Sequence, residues 1–255
     1  MDQPQTVAII PSRLESSRLP RKALVDICGF PMIAHVFKRC EFATSLDEVF
    51  VATDSDEIRE IVEQYGGKVL MTSSHHENGT ERIAEAAENI DADIIVNIQG
   101  DEALVMPEHI DSAVNALVED ENVNVSILVN SFSKRGSPSD IKVVLDQHGN
   151  VMYLSRSDIP SDFRTKNAPL LKAYHILPFR KDFLLDYVKW DVGYLEAIEY
   201  HEHLRILERG HKIRAVKVDS VAISVDTERD LLDVRKLMEK DRYWEMIKNS
   251  LGNIN

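Results

Sequence analysis

Two stretches carry residue types able to do chemistry together. The first is D-I-I-V-N-I-Q-G-D-E, residues 93–102, an apolar run that ends abruptly in amide, glycine and paired acids. Asp101 stands where a carboxylate can hold Mg²⁺ against substrate phosphates, because that ion keeps several waters and takes only one or two protein carboxylates. A solvated turn after a core strand is the alternative. The second stretch is P-S-R-L-E-S-S-R-L-P-R-K, residues 11–22, which sets Arg13, Arg18, Arg21 and Lys22 among serines, Ser12 the first of them. Such a loop suits a polyphosphate, with backbone N–H groups and hydroxyls as further donors, although a basic surface loop has the same composition. It has neither G-x-G-x-x-G nor Walker spacing, which argues against a dinucleotide oxidoreductase and a P-loop ATPase.

A third stretch, H-H-E-N-G-T-E-R at 75–82, opens a helix, and Asn78, Gly79 and Thr80 there can face a flat base or simply cap the helix. His75 and His76 are adjacent rather than spaced for one metal face, and they read as solvated loop residues.

Positioning these groups requires strand ends brought to one edge. Apolar runs at 6–10, 49–52, 68–71 and 93–98 read as strands, the first of them central and covered on both faces. Helical spacing at 32–40 and 56–65 alternates with them, as in a parallel sheet with crossover helices. In such sheets ligands collect outside the carboxyl ends of the strands. Thr53-Asp54-Ser55 can cap the helix that begins at 56, and Gly66-Gly67 closes it. Later, 142–145 and 151–155 flank a short turn and read as a hairpin, 157–169 as a polar loop, and 195–207 as one helix. Asp226 follows the apolar stretch 221–225, expected as a further strand, and, read alone, is an N-cap for a helix over 227–238.

The chain of 255 residues, 44% hydrophobic, can bury a full core. A formal net charge of -13 argues against general binding to nucleic acid or anionic membrane. No run approaches the roughly 18 apolar residues of a membrane span, and the first residues lack a signal-peptide pattern, so membrane insertion is not expected and a cytoplasmic location is. Cys28 and Cys40 lack metal-type spacing and read as buried thiols.

Taken together, P-S-R-L-E-S-S-R-L-P-R-K, V-A-T-D, N-G-T-E-R, N-I-Q-G-D-E and S-V-D-T, in that order, resemble the motif set of bacterial 3-deoxy-manno-octulosonate (Kdo) cytidylyltransferases, over about Val7 to Met238. The resemblance implies an α/β nucleotidyltransferase fold, Rossmann-like, with a mostly parallel sheet, flanking helices and a smaller inserted α+β subregion. It implies CTP and a sugar acid as substrates, Mg²⁺, and a homodimer. The division expected is 1–130 for the nucleotide, 131–210 for the acceptor and dimerisation, and 211–255 for the return to the core sheet.

Carried across, Ser12, Arg13, Arg18 and Lys22 wrap the triphosphate, and Thr53, Asp54, Asn78, Gly79 and Arg82 border the nucleotide. Gln99 faces the reacting centre, and Asp101 pairs with Asp226 as the metal carboxylates, so Lys22, Asp101 and Asp226 form the catalytic set. Arg156, Tyr174, His175 and Glu202, with Gln99, fall to the sugar, and Lys142 lies nearby. The implied reaction is in-line attack of the anomeric hydroxyl on the α-phosphorus of CTP, releasing pyrophosphate. A binding-only regulator of the same fold would have no need of both aspartates.

Three departures matter. Arg21 stands where the family usually has Gly, and Asn78 replaces a Ser while leaving polar groups to read cytosine. Where the Kdo enzymes show Arg-His-x-Gly-Ile-Tyr, this chain reads K-A-Y-H-I-L at 172–177. Ala173 and Leu177 cannot make the corresponding hydrogen bonds, so an altered acceptor is expected, 8-amino-3,8-dideoxy-manno-octulosonate, its amine held by Glu202. Ordinary Kdo and another sugar acid such as a nonulosonate are the alternatives.

Overall fold

The computed structural model describes residues 3–16, 19–219 and 223–251. They fall into two compact units, one from the described residues of Met1–Asp111 and Ala222–Asn255, the other from those of Ser112–Val221. The expected boundaries at 130/131 and 210/211 thus move outward. The reason is pairing: strands at Ser126–Phe132 and Arg214–Lys217 lie side by side in one sheet, so both belong to the inserted unit.

In the first unit, β1 (Thr6–Ser12) is buried almost throughout, as a strand covered on both faces must be. A single 3₁₀ turn at Lys22–Leu24 and a hairpin of β2 (Asp26–Ile27) and β3 (Phe30–Pro31) lead into α1 (Met32–Cys40). Then β4 (Glu48–Thr53), α2 (Asp56–Gln64), β5 (Lys68–Met71), α3 (Gly79–Ala87) and β6 (Ile94–Ile98) alternate; α4 (Pro107–Val118) begins in this unit and ends in the second. These strands run in the order β6-β1-β4-β5, all parallel. Because they are parallel, their carboxyl ends share one edge: the register sets Ser12 beside Thr53 and Ile9 beside Asn97.

The second unit holds β7 (Ser126–Phe132), β8 (Lys142–Leu145), β9 (Val151–Ser155), β10 (Leu170–Tyr174) and β11 (Ile176–Arg180). After them come α5 (Lys181–Tyr187), α6 (Tyr194–Glu199), α7 (Leu204–Glu208) and β12 (Arg214–Lys217). Its sheet runs β12-β7-β10-β8-β9, antiparallel except where β12 joins β7. The expected single helix over 195–207 is two, because Tyr200 turns left-handed at φ 51° and ends α6. Arg156 holds that break open. Its Nε donates to the carbonyl of Glu199 and its Nη2 to that of Tyr200, both at 2.8 Å. Buried Glu196 and Arg205 then tie α6 to α7 through two bonds of 2.7 and 2.6 Å.

On its return the chain packs α8 (Glu228–Met238) and α9 (Arg242–Leu251) onto the first unit. Leu231, Val234, Met238, Trp244 and Ile247 join Leu19, Ile27 and Met32 in one core cluster. The fully buried Arg39 secures the start of α9, donating to Asp241 at 2.5 and 3.2 Å and to the carbonyl of Val105 at 2.7 Å. The expected strand before Asp226 is absent from residues 223–226, which are extended loop; 221 and 222 lie outside the described residues. No described helix is long and apolar enough to cross a membrane.

Candidate active site

The carboxyl edge of the parallel sheet supports a cleft lined by Ser12, Arg13, Lys22, Asn78, Gly79, Arg82, Gln99 and Asp101. Two glycines let its walls approach. A Cβ on Gly100 would meet the Pro11 carbonyl oxygen at 3.0 Å, and one on Gly79 would meet Pro11 Cγ at 3.1 Å. The β1 and β6 ends therefore close to a separation at which any side chain at position 100 would crowd the Pro11 carbonyl.

Lys22 and Asp101 of the lining join Asp226 in a three-residue ionic centre. Lys22 Nζ donates to Asp101 Oδ2 at 2.6 Å and to Asp226 Oδ1 at 3.1 Å. Burial alone would lower the lysine pKa, but the two carboxylates outweigh it and hold the ammonium above its ordinary value. Asp226 gets there by a backbone bond and not a strand end: Val225 N donates to the Asp101 carbonyl at 3.0 Å, while Ser224 Oγ bonds the Glu102 carboxylate. Thr227, not Asp226, caps α8, accepting from Asp230 N while its own N–H and that of Asp226 donate to Asp230 Oδ2. That division of labour leaves the Asp226 carboxylate to face Lys22.

Arg21 explains the glycine usual at its position. It sits left-handed at φ 54°, just before the turn that aims Lys22, and its guanidinium pairs with Glu57. Arg18 lies outside the described residues.

Elsewhere in and behind the lining, polar side chains hold partners within the protein. Asn78 caps α3, its Oδ1 accepting from Glu81 N and its Nδ2 donating to Glu81 Oε1, both at 2.9 Å. Both polar side-chain atoms of Asn78 therefore have a partner in Glu81. Arg82 Nη1 donates to Thr72 Oγ1 at 2.7 Å and approaches Asp54 Oδ1 at 3.3 Å. Thr53 is fully buried and accepts from Ser55 N at 3.2 Å, so Thr53 and Asp54 support the wall and do not line it. Gln99 Nε2 donates to Asn97 Oδ1 at 2.9 Å.

His76, expected as a solvated loop residue, lines the cleft instead. Its Nε2 bonds Glu85, whose carboxylate also accepts from Ser73 N at 3.1 and 3.0 Å. Burial opposes ionisation of Glu85, yet the bonds from His76 and Ser73 outweigh it and hold the carboxyl below its usual range. The available signal was an acid on the helix that follows, which is common enough to pass unnoticed.

In the second unit, Tyr174 is buried and His175 half-buried, with its ring centroid 6.0 Å from that of His201 and 6.4 Å from that of His203. His203, expected as a solvated residue of the 195–207 helix, is instead buried, and the buried His201 was not anticipated. Burial, then neighbouring His175 and Arg205, pushes the His203 pKa down to about 3; His201 is also lowered by burial and by the nearby histidines. Glu202 Oε1 lies 3.7 Å from His203 Nε2. Ala173 and Leu177 are fully buried apolar positions. Arg156 also spends Nη1 on the Pro138 carbonyl at 2.9 Å, so its guanidinium organises backbone. Lys142, expected near substrate, is fully buried and donates to the carbonyls of Ser137 and Asp140 at 2.7 Å each, and to that of Arg156.

The chain matches the family model described as "Cytidylyltransferase" over residues 7–213. It is 42% identical to the 3-deoxy-manno-octulosonate cytidylyltransferase of Geotalea uraniireducens, over 91% of this chain and 98% of that protein. It is 43% identical to the same enzyme of Geobacter metallireducens, over 91% and 96%. A solved structure of CMP:2-keto-3-deoxy-manno-octonic acid synthetase complexed with CTP superposes with a TM-score of 0.89 at 36% identity, covering 92% of this chain and 99% of that one. A parallel α/β core with a basic loop facing two aspartates, and this extent of shared sequence, agree: the chain belongs to the 3-deoxy-manno-octulosonate cytidylyltransferase family of nucleotidyltransferases.

Proposed function

We propose that this cytidylyltransferase activates a 3-deoxy-octulosonate sugar acid with CTP, giving the CMP-sugar and pyrophosphate, and so supplies lipopolysaccharide synthesis from the cytoplasm. The observation that carries the reading is the Lys22 ammonium shared by Asp101 and Asp226 at the foot of the basic loop. The anomeric hydroxyl oxygen forms a bond to the α-phosphorus as the α,β-bridging P–O bond breaks. The electron pair leaves with pyrophosphate, and the hydroxyl proton passes to solvent water. Arg13 and Lys22 neutralise the triphosphate, which is most of what such a reaction asks of a protein.

The residues fit a divalent cation. Asp101 and Asp226 converge on one ammonium, a point where a metal would find two carboxylates, and no described group of three or more His, Cys, Asp or Glu is placed to hold one without substrate. Two carboxylates plus phosphate oxygens and water is the donor set Mg²⁺ prefers, so Mg²⁺ is the ion inferred. Bound there, it would neutralise phosphate charge and orient the triphosphate.

For the acceptor we favour 8-amino-3,8-dideoxy-manno-octulosonate. Ala173 and Leu177 offer no polar atom, while Glu202 provides a carboxylate beside neutral imidazoles, suited to an ammonium group. Pyrophosphate release with CTP and Mg²⁺, comparing Kdo with its 8-amino analogue at matched subsaturating concentrations, tests this. A higher kcat/KM for the amino sugar supports it. Equal or better use of Kdo discards it and keeps the enzyme class, and turnover only with a nonulosonate discards both octulosonates. Exposed Val192, Tyr194, Ile198 and Tyr200 support a homodimer through the second unit, which light scattering of the purified protein checks.

A further inference from the structure

The cleft is lined by Lys22 and Arg13, cations suited to phosphates, with Asp101, and also by His76 and by Asn78 and Gly79 at the start of α3. A nucleotide whose triphosphate meets the cations has its base left to the rest of the lining. Asn78 bonds Glu81 through both its amide oxygen and its amide nitrogen, and Arg82 turns Nη1 to Thr72 and Asp54. His76 is different. Glu85, ionised and acceptor-only, takes the Nε2–H, and two bonds from Ser73 N fix the carboxylate in turn. In the neutral ring this tautomer leaves Nδ1 as a hydrogen-bond acceptor. Cytosine carries an amino donor at its 4-position, whereas uracil carries a carbonyl acceptor there, so an acceptor in the wall separates the two by attraction to one and lone-pair repulsion with the other.

We propose that His76 is the base-specificity residue of this enzyme, its Nδ1 accepting from the cytosine 4-amino group, with Glu85 the positioning residue that sets the tautomer. The proposal rests on the reading that this cleft takes CTP. It assigns to a side chain outside the basic loop and the aspartate pair the rejection of UTP.

The test is kcat/KM for CTP and for UTP with one acceptor and Mg²⁺ at pH 8, with calorimetric Kd values for both nucleotides where UTP turnover is too slow. His76→Ala should lower the CTP value about tenfold, as expected for loss of one neutral hydrogen bond, and raise the UTP value by relieving the repulsion against the uracil carbonyl. His76→Asn, whose amide oxygen can stand near the Nδ1 position, should recover most of the preference. Glu85→Gln, which no longer demands the Nε2–H tautomer, should narrow the CTP-to-UTP ratio, and ¹⁵N resonances of the ring should show the tautomer change. Equal losses for both nucleotides in His76→Ala, or none for either, would overturn the proposal. Arg13→Ala separates the two failures: CTP affinity unchanged in that variant would mean the cleft is not the nucleotide site at all.

Discussion

Lys22 Nζ meets Asp101 Oδ2 at 2.6 Å, joining the last residue of the basic loop to the turn that follows β6. The contact is possible because β1 and β6 are parallel neighbours, so the segments leaving their carboxyl ends rise from one edge. Asp226 completes the centre from the far end of the sequence, through the bond between Val225 and Asp101.

The first prediction concerns charge. Asp101→Asn keeps nearly the same shape but removes one carboxylate from the centre, and it should lower turnover by at least about a hundredfold. Circular dichroism and thermal melting should show the fold retained. Near-normal turnover would remove Asp101 from the mechanism.

A second follows from backbone conformation. Arg21 holds a left-handed φ of 54°, which costs an L-residue about 1 kcal/mol and glycine little. Its ion pair with Glu57 is solvent-exposed and contributes little in return. Comparing Arg21→Gly with Arg21→Ala cancels loss of the pair, and the glycine variant should be the more stable by about 1 kcal/mol in urea unfolding. An alanine variant of equal stability would contradict the strained assignment.

Gly100 is constrained by contact. The methyl of Gly100→Ala would meet backbone, the Pro11 carbonyl oxygen at 3.0 Å, which cannot rotate away as a flexible side chain would. The turn carrying Asp101 must shift, and small displacements of a catalytic group cost rate steeply, so kcat should fall about tenfold or more. A variant with wild-type kcat would show that the two strand ends have slack.

The fourth prediction concerns pH. His203 and His35 are buried neutral, with pKa values lowered to about 3 and about 4 chiefly by burial, and His201 is lowered as well. An unfolded histidine titrates near 6.5. Above that value neither state binds the proton and the stability contribution is whole. As pH falls below it the unfolded chain takes up protons that the folded chain refuses, so stability is lost between about 6.5 and the lowered folded values. Each such histidine adds a slope of up to about 1.4 kcal/mol per pH unit. Urea unfolding at pH 7.5, 6 and 5 should show the loss, and His203→Leu should have a shallower pH dependence than the wild type. Identical slopes would mean His203 is protonated in the folded protein.

Much of the catalytic unit could be read from the sequence because its signals are local. Apolar runs fix β1, β4 and β6, the helices between them make the sheet parallel, and a parallel sheet brings residues 11–22 and 99–102 to one edge. The aspartate pair needed the ordered motif set, since Asp226 alone looks like a cap; only the fold shows Thr227 doing the capping. Other features depended on contacts no local pattern encodes. The helix expected over 195–207 breaks because Arg156, far back in the chain, takes the carbonyls of Glu199 and Tyr200. The inserted unit begins earlier and ends later than composition suggested because β7 and β12 pair across the whole insertion. His76 passed for a solvent residue until Glu85 was placed against it. The sequence by itself determined the parallel core and the charged residues delivered to its edge, since strand periodicity and loop composition are properties of consecutive residues. The tertiary structure alone decided which of those groups are committed to capping and which remain to meet a substrate, because a hydrogen bond between distant residues exists only once the chain has brought them together.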